Sequence, residues 1–228
     1  MHDSINLKSV PAESLHRLAL YHCKLTDMLL ARKNDTITSK ELANALGLNE
    51  STIRRDLMFM GETPGKRGSG YNISSLRRMI GDFLSLPQFA PVAFVGSTSV
   101  VRSFFDYFPI EKFGFTPAAF FSEDPRDHGA WIYGHEVQAI EAISKTIVDL
   151  GVRVAVVATH PTWLNHSIGL LVQAGIKSIL VLTQSEVTNT PPGVHIMQLG
   201  IACGLKSLFY YANLLEHQEP PATTVVDD

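Results

Sequence analysis

Arg54 and Arg55 stand side by side in Ile53-Arg54-Arg55-Asp56-Leu57, where apolar residues recur at helical spacing. On such a helix one guanidinium can present its donors to base edges in a major groove while the other clamps a phosphate. Asn49, Glu50, Thr52, Arg54, Arg55 and Asp56 fall on faces that Ile53, Leu57, Phe59 and Met60 leave free. Asp56 is therefore expected at the surface, beside a neighbouring arginine. Ser39 and Lys40 open the preceding segment, where helix-terminal amides and a cation can bind phosphate. Lys66 and Arg67 lie between glycines in Gly65-Lys66-Arg67-Gly68-Ser69-Gly70-Tyr71, a sequence suited to a tight hairpin with cations at its tip. Cations on three successive elements fit a duplex, with a helix in the major groove and the hairpin along the backbone or minor groove.

A second chemistry is suggested by Phe94-Val95-Gly96-Ser97-Thr98-Ser99-Val100-Val101, which joins a short apolar run to a helical pattern. A dinucleotide-binding sheet places G-x-G-x-x-G there: the second glycine admits the pyrophosphate and the third lets helix and strand pack closely. Here only Gly96 keeps its type, Thr98 and Val101 standing at the other two positions. The acidic residue that would hold a ribose about 20 positions on is replaced by Ser122. Glu123 and Asp124 follow in the turn before Pro125 and are not expected to substitute for it. Thr159 and His160 follow another expected strand end and, with Thr183, could line a pocket. Core or surface roles are the simpler reading for the remaining histidines. Trp163 and Phe209-Tyr210-Tyr211 are read as core or dimer packing. No Ser-His-Asp, Cys-His or lysine constellation assembles from local motifs, and no metal-ligand spacing occurs.

These groups must be positioned by two kinds of architecture. Leu15, Leu18, Leu20, Tyr21, Leu25, Met28 and Leu29 predict an amphipathic first helix. Thr38-Ser39-Lys40-Glu41 has the form of a capping box, followed by Leu42, Ala45 and Leu46 as an inner face. Gly47 then breaks the helix, and Asn49 or Ser51 can cap the next, giving helix-turn-helix spacing with a winged hairpin after it. Beyond Pro87 strands alternate with helices, as in a parallel sheet covered on both faces. Strands are expected at 92–95, 117–121, 152–158 and 178–182, and helices at 100–107, 135–150, 162–174 and 199–215. The fold class is therefore α/β: a winged helix-turn-helix at 1–86, a Rossmann-like domain at 87–198, a C-terminal helix at 199–216 and a polar tail at 217–228.

Composition agrees with a globular chain of 228 residues, 45 % apolar, with a formal charge of −3. That charge is an average: residues 1–86 hold 12 Lys/Arg against 9 Asp/Glu, and residues 87–228 hold 7 against 13. The excess positive charge lies with the candidate DNA contacts. Two widely separated cysteines, Cys23 and Cys203, and no signal-like or bilayer-length apolar run point to the cytoplasm.

Ser39-Lys40-Glu41-Leu42-Ala43, Ile53-Arg54-Arg55-Asp56-Leu57, Gly65 to Tyr71, Ala174-Gly175-Ile176-Lys177-Ser178-Ile179-Leu180 and Pro192-Gly193-Val194 resemble the Rex family of redox-sensing transcriptional repressors. The resemblance covers nearly the whole chain. It implies a homodimer with a last helix exchanged between subunits, bound to inverted-repeat DNA and released by NADH. Carried onto this chain, the DNA-facing positions are Ser39, Lys40, Thr52, Arg54, Arg55, Lys66, Arg67 and Gly68. The cofactor positions are Gly96, Ser97, Thr98, Ser99, Val100, Val101, Ser122 and Thr159, and the implied cofactor is NAD(H). Two members of the family's interdomain salt bridge differ: Cys23 stands for an arginine and Gly200 for an aspartate. The expectation is a DNA-binding regulator, acting as a repressor, whose NAD(H) response is altered or lost. The alternative is a working NADH sensor. A thiol switch using Cys23 and Cys203 beside Gly200, or a nucleotide-dependent enzyme, are lesser readings.

Overall fold

A computed structural model describes residues 10–31, 35–61, 65–66, 70–188 and 190–216. The chain divides into two compact units: Met1–Ala90 with Ile110–Phe115, and Pro91–Pro109 with Thr116–Asp228.

In the first unit, helices α1 (Ala12–Leu30), α2 (Ser39–Leu46), α3 (Glu50–Met58) and α4 (Ile73–Phe83) surround one apolar core. Leu18, Tyr21 and Leu25 of α1 meet Leu42 and Ala43, Ile53 and Leu57, and Ile73, Leu76 and Ile80 there. Leu20 instead faces out, and on α2 the buried small residue is Ala43 while Ala45 is exposed. The α2 capping box forms: Glu41 N donates to Thr38 Oγ1 at 3.1 Å, and Thr38 N donates to Glu41 Oε2 at 2.7 Å. Gly47 ends that helix at φ +66°, a conformation that costs glycine little. Asn49 occupies the N-cap of α3 without a side-chain cap bond.

Strands β1 (Thr36–Ile37), β2 (Gly65–Lys66) and β3 (Gly70–Asn72) form the wing sheet in the order β1-β3-β2. Gly65 pairs with Tyr71 and Lys66 with Gly70. Gly70, at φ +72°, lies so close to Ile37 that a Cβ would sit 2.8 Å from its carbonyl oxygen.

The second unit is built on strands β4 (Ala90–Gly96), β5 (Phe115–Ser122), β6 (Trp131–Ile132), β7 (His135–Ala139), β8 (Val154–Ala158), β9 (Ser178–Val181) and β10 (His195–Gln198). Their order is β10-β9-β8-β4-β5-β7-β6. Pairs β4–β8, β8–β9, β9–β10 and β5–β7 are parallel, and β6 adds an antiparallel edge. Apart from that edge, this is the doubly wound Rossmann order, with its switch point between β4 and β8. Helices α5 (Thr98–Tyr107), α6 (Ile143–Leu150) and α7 (Leu164–Gln173) connect strands, and α8 (Ile201–Glu216) ends the described chain. Val95, Phe121, Ile143, Val157, Leu171 and Ile179 belong to the core.

The helix expected over 135–150 is a strand, a 3₁₀ turn at Ile140–Ala142 and the short α6. Tyr133 and Gly134, at φ +48° and +81°, make a two-residue hairpin turn of the primed kind between Ile132 and His135. β7 then finds backbone partners on β5, which outweighs any local helical preference. Strand β10 was not expected and extends the sheet beside β9. No helix among the described residues is long and apolar enough to cross a membrane.

Candidate functional site

The basic face of α3 depends on a carboxylate beneath it. Asp56 is fully buried, contrary to the surface position expected for it. Arg17 Nε donates to Asp56 Oδ2 at 2.6 Å and Nη2 donates to Oδ1 at 2.7 Å, a bidentate pair. The Tyr21 hydroxyl donates to Oδ2 at 2.6 Å. Burial by itself would raise the Asp56 pKa, but the bonds from Arg17, Tyr21 and Ser14 outweigh it and hold the carboxyl below its ordinary value. The bond to Asp56 raises the Arg17 pKa, and burial, followed by the bond to Asp56, raises that of Tyr21. Two residues of α1 thus pin α3 through its only inward-facing charge.

With Asp56 turned inward, Arg54 and Arg55 are left on the exposed side. Arg54 pairs with Glu50 one turn back, and its Nε donates to Ser39 Oγ at 3.3 Å. Ser39 Oγ in turn donates to Glu50 Oε1 at 2.8 Å. The Ser39 hydroxyl, followed by Arg54, holds the Glu50 pKa below its usual range. Ser39 is itself buried, so its side chain orients Arg54 while Lys40 is exposed and Thr52 half-buried. Arg55 has no side-chain partner among the described residues. The Lys66 backbone belongs to the wing strand, whereas Arg67 and Gly68 lie outside the described residues.

In the second unit a cleft of about 360 Å³ opens at the switch point, lined by Ser97, Glu123, Asp124, Pro125, His160 and Trp163. Trp163, read from sequence as core or dimer packing, stands at this cleft and meets His166 edge-on at 5.6 Å. Gly96 is held against β8, where a Cβ would come within 2.6 Å of the Ala158 carbonyl oxygen. Ser97 is the N-cap of α5, and its hydroxyl lies 3.0 Å from that of Ser99. Val100 is exposed, while Val101 is buried where the fingerprint would have glycine. Thr183 Oγ1 donates to the Thr159 carbonyl at 2.7 Å, and Thr159 is buried. Glu123, set aside in the sequence, accepts from His160 N at 2.9 Å.

The residue missed by sequence reasoning is Asp127. Its Oδ2 accepts from Thr98 N at 2.8 Å, at the first turn of α5, and from Ser122 Oγ at 2.8 Å. Thr98 and Ser122, two expected cofactor positions, are thereby joined through one carboxylate. Asp124-Pro125 produces this approach: the 3₁₀ turn Pro125–Asp127 brings the chain back, with Asp127 N donating to Asp124 O at 3.0 Å. Arg126 bonds the Asp124 side chain and holds its pKa down to about 2. The helix terminus in a dinucleotide fold is the seat of the pyrophosphate, and a carboxylate already occupies the first-turn amide. These residues do not fit a diphosphate in that pose.

Cys23 on α1 and Cys203 on α8 are both exposed and free, and Gly200 directly precedes α8. No group of three His, Cys, Asp or Glu able to hold a metal occurs among the described residues.

A winged helix-turn-helix together with a Rossmann-like sheet carrying a cleft at its switch point defines a two-part transcriptional regulator. Residues 9–57 match the family described as "Putative DNA-binding protein N-terminus". The redox-sensing transcriptional repressor Rex of Streptomyces griseus subsp. griseus is 32% identical over 204 residues, covering 90% of this chain and 79% of the relative. That of Roseiflexus sp. is 31% identical over 218 residues, covering 94% of this chain and 98% of the relative. The crystal structure of RSP, a Rex-family repressor, superposes with a TM-score of 0.77 at 26% identity, covering 91% of this chain and 97% of that one. RSP in complex with β-NAD+ and operator DNA gives the same TM-score and identity, covering 91% and 94%. The chain belongs to the Rex family of redox-sensing transcriptional repressors.

Proposed function

We infer that this chain is a cytoplasmic, sequence-specific DNA-binding repressor, not an enzyme, whose response to NAD(H) is altered or lost. The observation that carries the DNA reading is the pair Arg54 and Arg55, exposed on a helix whose one buried charge is neutralised from α1. α3 enters the major groove, with Arg54 at base edges and Arg55 on phosphate, while Lys40, Thr52, Lys66, Arg67 and Gly68 follow the backbone. Ser39 acts through Arg54.

Two copies pair through α8, exchanged between subunits, and read an inverted repeat. Leu208, Phe209 and Tyr210 of that helix are 64%, 73% and 62% exposed in the single chain, a cost that a partner subunit would remove. Thr98, Val101 and Ser122 support the altered nucleotide response. A retained response is favoured by the relatives' redox-sensing name and by RSP's complex with β-NAD+.

The DNA reading is tested by fluorescence anisotropy on a selected operator and on random duplex. Arg54→Ala is expected to cost about 1–3 kcal/mol on the operator and to relax base preference there. Lys66→Ala is expected to weaken both duplexes alike and to lower the salt slope by about 1. Equal losses on both duplexes for Arg54→Ala would contradict base reading.

A further inference from the structure

We propose that Asp127 is a specificity-determining residue: a built-in anion that takes the phosphate seat of the Rossmann unit and restricts its cleft to ligands without phosphate. This rests on the reading that the NAD(H) response is altered or lost, and it supplies the cause.

Three observations converge on Asp127. Its Oδ2 accepts the Thr98 amide at 2.8 Å, so the donor that would meet a phosphate oxygen at the start of α5 is already used. The Ser122 hydroxyl donates to the same oxygen at 2.8 Å and also accepts from Asp124 N at 3.1 Å, which fixes the carboxylate from the opposite strand end. The approach is set by backbone, since Asp127 ends the 3₁₀ turn begun at Pro125. A carboxylate placed this way satisfies the helix terminus and its dipole as a phosphate would, but it cannot leave with a ligand.

The surroundings reinforce the exclusion. Glu123 and Asp124 line the cleft within a few residues of Asp127, and Arg126 of the same turn is committed to Asp124. A diphosphate entering here would meet carboxylates, with the Arg126 guanidinium already paired to one of them. Two like charges about 4 Å apart repel by about 4 kcal/mol at the effective dielectric of a protein surface, which far exceeds one regained amide bond. Glu123, which lines the cleft, has its Oε2 buried without a partner among the described residues, and that carboxylate oxygen suits a ligand that brings donors. The cleft thus selects against nucleotides by charge while keeping polar atoms for a phosphate-free molecule.

The test compares the wild type with Asp127→Ala and Asp127→Asn, using inorganic pyrophosphate and NADH as probes. Binding is followed by calorimetry, by NADH fluorescence and by the NMR shift of the Thr98 amide. The wild type is expected to bind neither probe, with its Thr98 amide unmoved. Asp127→Ala is expected to bind pyrophosphate at least about tenfold more tightly than the wild type. Asp127→Asn keeps an acceptor for Thr98 N and hence the helix cap, so it carries the test if the alanine variant does not fold, with a smaller gain expected. If both folded variants bind pyrophosphate no better than the wild type, the role of Asp127 is overturned while the DNA-binding reading with a lost NAD(H) response stands. If the wild type binds NADH and is released from DNA by it, that response reading and the role of Asp127 fall together.

Discussion

At the scale of single residues, two aspartates do opposite things from what their type suggests. The charge of Asp56 argues for solvent and for the faces of α3 that Ile53 and Leu57 leave free. What reverses that argument is Arg17, thirty-nine positions away, which no local pattern connects to it. Asp127 was equally hidden because its direction depends on a 3₁₀ turn and on where β5 ends. By contrast the exposure of Arg54 and Arg55 and the place of Gly96 and Thr98 at the junction of β4 and α5 were legible, since they follow from neighbours in sequence. Asp56→Asn is expected to destabilise the first unit by about 3 kcal/mol in urea unfolding, as it leaves Arg17 against a neutral partner. The Asp56 pKa is lowered on folding, so its contribution is complete above the ordinary aspartate range and is lost as pH falls through the lower folded-state value. The wild type and the variant should therefore converge in stability in acid; a difference that persists unchanged there would exclude the ion pair as its source.

Among elements, those with strong local signals were legible: α2 with its capping box, α3 with its apolar stripe and β4 ahead of Gly96. Those held by distant partners were not. β7 owes its existence to the ladder with β5, and β10 to the ladder with β9. The Tyr133-Gly134 turn was the one local clue to the hairpin. The wing was legible through its glycines, and Gly70 has two reasons to be glycine, its positive φ and its contact with Ile37. Gly70→Ala is expected to cost about 1–3 kcal/mol and to part β3 from β1. Hydrogen exchange should rise in peptides covering 35–38 and 70–73 while 91–109 stays protected, and operator and random duplex should both be bound more weakly. Unchanged exchange in the wing strands would show that the close approach is not structural.

For the molecule as a whole, a net charge of −3 hides a basic N-terminal segment and an acidic remainder. This division matches a DNA-reading unit followed by an effector-type fold, and it explains why the overall charge gave no hint of nucleic acid. Membership of a family named for redox sensing leaves one question for this chain: whether its Rossmann unit still reports on NADH or is fixed by its own carboxylate. The direct measurement is the affinity of the full-length protein for a selected operator at constant salt, with and without saturating NADH. The expectation is equal affinity within about twofold, under 0.5 kcal/mol. A loss of about tenfold or more on adding NADH would contradict it.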